Sequence, residues 1–274
     1  MSAATADART DNAPPLLRED DHGITTLTLN RPASRNSLSR AMLGALEGAL
    51  AEIAADRRVR VVIIASSGPA FSGGHDLKEI TAHRADPDGG RAFFTECFAA
   101  CSRVMQGVVN LPQPVIAAVE GIATAAGCQL AASSDMVVAS ESAKFGVSGI
   151  NAGLFCTTPG VALGRAVSRK AAMELLMLGD IVPSAEAFRI GLVNRLVPGG
   201  EALVEAMRMA RRIAGHSSHA IRMGKRGFIA QIGLPLDRAY ETASAVMVEN
   251  LLAQDAIEGI DAFLGKRKPV WEDR

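Results

Sequence analysis

The sequence predicts an α/β fold followed by a helical C-terminal region, and three observations predict it. Short β-branched runs alternate with helical periodicity, each run emptying into a loop of glycine and other small residues. After Pro159 the strand text stops and only helical patterns remain. The 274 residues are 48% hydrophobic but 4% aromatic, so the core must be built from small aliphatic side chains that let backbones approach closely. A chain of this length buries roughly 75% of its unfolded surface, enough for one core without disulfides.

In chain order, residues 1–20 mix Ala, Thr, Asp, Arg and a Pro14-Pro15 pair, which predicts a disordered N-terminus. Ile24 to Leu29 alternates as a strand does, and Asn30-Arg31-Pro32 ends it. Leu38 to Asp56 places Met42, Leu43, Leu46, Leu50 and Ile53 three and four apart, a helix that Ser37 or Ser39 can cap. Val59 to Ala65 is a nearly continuous β-branched run, the mark of a strand covered on both faces. The unit recurs: helix Gly90 to Asn110, strand Pro114 to Val119, then a further helix and strand Met136 to Ser140. Beyond Pro159, helices are expected over Ala166 to Leu178, Ser184 to Ile190, Glu201 to Ala214 and Pro235 to Ala253. With no linker-like stretch between them, residues 21–200 form a core and residues 201–274 a helical region that needs a surface to pack against.

Composition excludes several functions. Lys+Arg 29 balances Asp+Glu 29, so there is no global field for nucleic acid or an anionic membrane. No signal peptide, acid-poor transit peptide or membrane span is legible, which predicts a cytoplasmic protein. Cys97, Cys101, Cys128 and Cys156 lack zinc-site spacing and are expected as small buried hydrophobes; no metal site is expected, the His216/His219 pair having no carboxylate or thiolate beside it.

Two loops carry the candidate chemistry, Phe71 to Asp76 and Gly121 to Gly127. Each follows a strand and opens a helix, where backbone N–H groups lack intrahelical partners and the helix dipole favours negative charge. They read either as ordinary turn glycines or as two anion sockets that together stabilise a carbonyl gaining charge. Gly146-Val147-Ser148-Gly149 misses the nucleophile-elbow pattern, and no P-loop or dinucleotide fingerprint occurs.

The order and spacing of these loops resemble the crotonase (enoyl-CoA hydratase/isomerase) superfamily from about Gly23 onward. The matching text is Leu29-Asn30-Arg31-Pro32, Phe71 to Glu79, Pro114 to Gly121, Gly127-Cys128-Gln129-Leu130-Ala131, Asp135, Lys144-Phe145-Gly146 and Gly191-Leu192-Val193-Asn194. The run Phe145 to Cys156 resembles the enoyl-CoA hydratase domain-containing protein three branch. The resemblance implies a ClpP-like spiral of ββα units, a C-terminal region that trimerises subunits into a homotrimer or dimer of trimers, and acyl-CoA thioester substrates. It implies no separate cofactor, since coenzyme A is part of the substrate. By position, the backbone N–H groups of His75 and Ala126 would polarise the thioester carbonyl and stabilise an enolate.

The resemblance also exposes two departures. Gln129 and Gly149 stand where family hydratases carry their two water-activating glutamates. An amide can orient water but cannot take its proton at neutral pH, and glycine offers no side chain. Glu79, Glu120 and Glu141 are the nearby acids, and the family pattern places none over the thioester; Ser148, Asn151, Cys156 and Thr157 are expected as lining or packing. The hole itself would serve chemistry that needs no base, such as decarboxylation of a malonyl-type thioester, and family decarboxylases also carry a Gly-His-Asp string where this chain has Gly74-His75-Asp76. A catalytically silent acyl-CoA binder is the rival reading. Coenzyme binding is assigned to Arg31, Arg35, Gly73, Gly74, Asp76, Leu77 and Lys78, with the tail Lys266-Arg267-Lys268 as a further contributor. Met207 to Leu236 holds six Arg and Lys residues and no acid, so it either borders the coenzyme or faces acids of a neighbouring subunit.

Overall fold

The computed structural model describes residues 13–274, so most of the expected disordered N-terminus lies outside the described residues. Within them that expectation is corrected: Leu16–Asp21 is strand β1, paired antiparallel with β2 (Ile24–Leu29). A two-residue turn joins them, with His22 at φ 47° and Gly23 at φ 82°, the positive values such a hairpin demands. The strand is polar because it is a sheet edge facing water, where charged side chains also block unwanted pairing.

Helix α1 (Arg40–Ala55) is capped by Ser39 and buries the five apolar residues expected of it. The chain then winds in repeated strand–strand–helix turns. The first has β3 (Val61–Ser66), β4 (Ala70–Ser72), α2 (Leu77–Ala82) and α3 (Arg91–Asn110). The second has β5 (Val115–Val119), β6 (Ile122–Thr124) and α4 (Ala126–Ser133). The third has β7 (Met136–Ser140), β8 (Lys144–Gly146), a 3-10 segment Ser148–Ala152, α5 (Thr157–Ala166) and α6 (Arg169–Leu178). Each turn adds one strand to a six-stranded sheet, β1-β2-β3-β5-β7-β10, and one short strand to a second sheet, β4-β6-β8-β9. This is the crotonase-type spiral of ββα units.

Strands continue past Pro159, contrary to the sequence reading: β9 (Ile181–Pro183) and β10 (Arg195–Val197) flank α7 (Ser184–Arg189) and close the two sheets. Three residues are too few to show alternation, so neither strand has a periodic signature. The helix expected over Ala166 to Leu178 is broken at Val167-Ser168, where Ser168 Oγ accepts the Ala171 N–H and starts α6 afresh.

The main core lies between the sheets and helices α1, α3 and α4. A second cluster forms on the other face of the large sheet, where Ala202, Ala206, Met209 and Ala210 of α8 (Ala202–Ala214) cover Val61, Ile63, Ile116 and Val138. Helix α8 thus packs on the large sheet of its own chain. What projects is α9 (Ser218–Gln231), α10 (Leu236–Leu252) and α11 (Gln254–Leu264). Lys225 anchors α9: its Nζ lies 2.6 Å from Asp135 Oδ2 and donates to the Gln113 carbonyl at 3.0 Å. Asp255, 3% exposed, accepts from the Ser217 hydroxyl and from the N–H groups of Glu272 and Asp273, clasping the chain end to the start of α9.

Candidate active site

The two candidate loops are built against each other. Asn36, fully buried, donates to the carbonyls of Ser67 and Ala70 and accepts the Arg31 N–H, fixing the turn after β2 beside β4. Ser72 Oγ donates to the Asn36 carbonyl, Gly73 N–H to the Arg35 carbonyl and Leu38 N–H to the Gly74 carbonyl, the last two at 2.8 and 2.7 Å. Asn36 escaped the sequence reading; a polar residue right after a positively charged turn carries no signal of burial. On the second loop Ala125 takes φ 48° and ψ −119°, a conformation costing a non-glycine residue on the order of 1–3 kcal/mol. Its N–H donates to the Gly146 carbonyl at 2.9 Å, which holds it there.

Glycines set the approach. A Cβ on Gly74 would lie 2.9 Å from Ala125 Cβ and 3.2 Å from Ala126 N, so the peptide that carries the His75 N–H adjoins the Ala126 N–H. A Cβ on Gly127 would meet the Ser72 carbonyl oxygen at 2.3 Å. Gly127→Ala is expected to cost about 1–3 kcal/mol of stability, read as a lower urea midpoint, because backbone atoms must move apart. Among the described residues no backbone acceptor takes the N–H of His75 or of Ala126. Two adjoining free N–H groups, one at the first residue of α4, suit an oxygen carrying negative charge.

The remaining assigned residues divide. Asp76 is the cap of α2: its Oδ1 accepts from Lys78 and Glu79 N–H and its Oδ2 from the Ser37 hydroxyl. That carboxylate shapes the loop. Leu77 and Lys78 are exposed on the first turn of α2, and Arg35 stands over Gly73, 3.6 Å from where a Cβ would project. Arg31 donates to the Asn30 carbonyl. Glu79 accepts the Arg40 N–H, and Glu120 accepts from Gly200 and Ala202 N–H at the start of α8, so both carboxylates have structural work. Arg267 of the basic tail is paired with Glu258.

Gln129 sits one turn into α4 and is 5% exposed, with no partner for its Oε1. At Gly149 a Cβ would meet the Leu154 carbonyl oxygen at 2.6 Å and Cys156 Sγ at 2.7 Å. The segment Leu154 to Cys156 thus occupies the space a glutamate would enter. Cys97, Cys101 and Cys128 are buried as expected whereas Cys156 is only half-buried, and burial pushes the Cys101 and Cys128 thiols up to about 12. No group of three His, Cys, Asp or Glu side chains among the described residues could hold a metal ion.

The His75 ring packs edge-on against Phe98, 5.1 Å between centroids, and its Nδ1 lies 3.7 Å from Cys97 Sγ. Its Nε2 is buried without a partner. Burial pushes the imidazole's pKa down, opposed by the Leu38 carbonyl and Glu79, so the ring is neutral at neutral pH. A histidine lowered on folding favours the native state above the unfolded pKa of about 6.5, and this contribution is lost as pH falls below it. His75→Gln is expected to flatten the fall in stability with acid below that pH in urea titrations.

Residues 19–274 match the Enoyl-CoA hydratase/isomerase family. The chain belongs to the enoyl-CoA hydratase/isomerase family. Its family relatives include the enoyl-CoA hydratase domain-containing protein 3, mitochondrial, of Homo sapiens, 47% identical over 91% of this chain and 80% of that one. The Rattus norvegicus protein of the same name is 46% identical over 93% of this chain and 83% of that one. Among solved structures, an enoyl-CoA hydratase from Mycobacterium smegmatis superposes at a TM-score of 0.90 with 48% identity, covering 94% of this chain and 99% of that one. Human enoyl-CoA hydratase domain-containing protein 3 superposes at 0.88 with 46% identity, covering 94% and 100%. The branch resemblance read from Phe145 to Cys156 therefore stands. The cytoplasmic expectation does not: these vertebrate relatives are named as mitochondrial proteins. No helix among the described residues is long and apolar enough to cross a membrane.

Proposed function

We propose that this family member processes acyl-CoA thioesters, holding the thioester carbonyl between the N–H groups of His75 and Ala126 and stabilising the enolate that forms when charge moves onto that oxygen. The observation that supports the reading is the closeness of Gly74, the residue before His75, to Ala126 N, together with the absence of a backbone acceptor for either N–H among the described residues. Arg31, Arg35 and Lys78 are the cations available to the coenzyme phosphates, and the backbones of Gly73, Gly74 and Leu77 border its path. No cofactor beyond the coenzyme in the substrate is required by this chemistry.

Hydration is expected to be slow. Each absent acid/base group forfeits about 10²- to 10⁴-fold, and Gln129 and Gly149 remove both. The absence of a carboxylate at positions 129 and 149 favours a second reaction, loss of CO₂ from a malonyl-type thioester: the electrons of the broken C–C bond pass into the enolate, no base is needed, and the enolate carbon then takes a proton from water. Purified protein is tested with crotonyl-CoA, a 3-enoyl-CoA and methylmalonyl-CoA. Product from at least one supports the enzyme reading; saturable binding without product from any of them identifies a silent acyl-CoA binder, and no binding removes the thioester reading altogether.

The apolar face of α9 to α11 is the proposed subunit interface of a homotrimer or dimer of trimers. Leu236 is 76% exposed and Phe263 is 82% exposed, too much apolar surface to leave in water. Sedimentation should give a trimeric or hexameric mass, and a clean monomer would remove this assignment.

A further inference from the structure

A cavity of about 1030 Å³ lies far from the two loops, between the C-terminal end of α3, one face of α9 and the junction of α10 with α11. The α3 helix separates it from the candidate site: Cys97 touches His75, whereas Asn110 at the far end lines the cavity. At 1.5 Å per residue the two positions are roughly 20 Å apart along the helix. None of Arg31, Arg35, Gly73 or Lys78 lines it.

Its walls are of two kinds. Leu111, Met223 and Leu252 make an apolar floor. His219, Arg222 and Arg226 recur at three and four on α9, so they present one basic face to the same space. Among the described residues neither Arg222 nor Arg226 has an ion-pair partner, whereas the other two cations are neutralised, Lys225 by Asp135 and Arg274 by Glu272. Glu249 is the acidic side chain of the lining, so the two arginines outnumber it by one charge. A smaller cavity shares His219 and Arg222 and adds Arg57 together with Asp273, whose carboxylate is paired with Arg60. Arg222, Lys225 and Arg226, three of the six cations of the acid-free stretch from Met207 to Leu236, thus border a space of ligand size.

We infer that this cavity is a second ligand site, independent of the thioester site, for a small amphipathic anion: an apolar body against Leu111, Met223 and Leu252, and a phosphate or carboxylate head on Arg222 and Arg226. The two arginines supply planar donors suited to either head group.

Calorimetry on the intact protein tests it with four probes: octyl phosphate, octanoate, inorganic phosphate and octanol. The expected result is saturable binding, one per chain, of octyl phosphate or octanoate, at least roughly tenfold tighter than the head alone or the body alone. Whichever of the first two binds more tightly identifies the head group. Arg222→Glu with Arg226→Glu should abolish that binding while leaving acyl-CoA binding unchanged. Met223→Trp, which fills the floor, should do the same without touching a charge and covers the case in which the double variant fails to fold. Equal affinity for inorganic phosphate would overturn the amphipathic ligand. Competitive displacement by an acyl-CoA would make the cavity part of the thioester site, and displacement of one subunit from another by octyl phosphate would make it an interface; either result overturns the inference, as does binding of none of the probes.

Discussion

Gln129→Glu is expected to raise water addition to crotonyl-CoA by about 10²-fold or more over the natural protein, since it restores one acid/base group at the start of α4. The N-terminal turn of that helix favours the charged carboxylate, which lets it act near neutral pH despite its burial. Gly149→Glu is expected to behave differently. Its Cβ meets the Leu154 carbonyl oxygen and Cys156 Sγ inside normal contact distance, so Leu154 to Cys156 must move before the carboxylate can reach substrate. The second change should therefore lower the urea midpoint and add little to the rate of the first. Hydration kinetics of the two single variants and the double variant, with denaturation of each, separate these effects. A large extra gain from the second glutamate with no loss of stability would mean that this segment does not occupy the glutamate's place.

Lys225→Met is expected to destabilise the protein by about 1–2 kcal/mol, because it removes the ion pair that the buried ammonium makes with the partly exposed Asp135 carboxylate and its hydrogen bond to the Gln113 carbonyl. Burial pushes the Asp135 carboxyl up and the Lys225 ammonium down, and their 2.6 Å contact works against both shifts. Asp135 also accepts the Val115 N–H at 2.7 Å, so the loss reaches the start of β5 as well as the docking of α9. Pairing Lys225→Met with Asp135→Asn should recover much of the loss, since a neutral amide can still accept the Val115 N–H. Urea unfolding of the three variants is the measurement, and an unaffected single variant would show that the pair does not hold α9 to the core.

The strands and helices with strong periodicity were legible in the sequence: β3, β5 and β7 as continuous apolar runs, α1 and α3 as amphipathic helices. The second sheet was hidden, because strands such as β4 and β8 are three residues long and lie inside text that reads as loop. β1 was hidden by its acids, which face water from a sheet edge. The loops of the candidate site stood out through their small residues, and the resemblance supplied the pairing of His75 with Ala126. What no sequence pattern carried was the cause of each glycine: Gly127 for the Ser72 carbonyl, Gly74 for the approach to Ala126, and Gly149 for a chain segment folded back on it. Asp76 is the counter-example, since its place beside the loop suggested a ligand while its oxygens are taken by the α2 cap and Ser37.

The central claim is tested most directly by a crystal structure of the protein with a non-hydrolysable acyl-CoA analogue. The thioester oxygen is expected within about 2.7–3.1 Å of both the His75 and the Ala126 nitrogen. A carbonyl bound elsewhere, or held by only one of the two N–H groups, would contradict it.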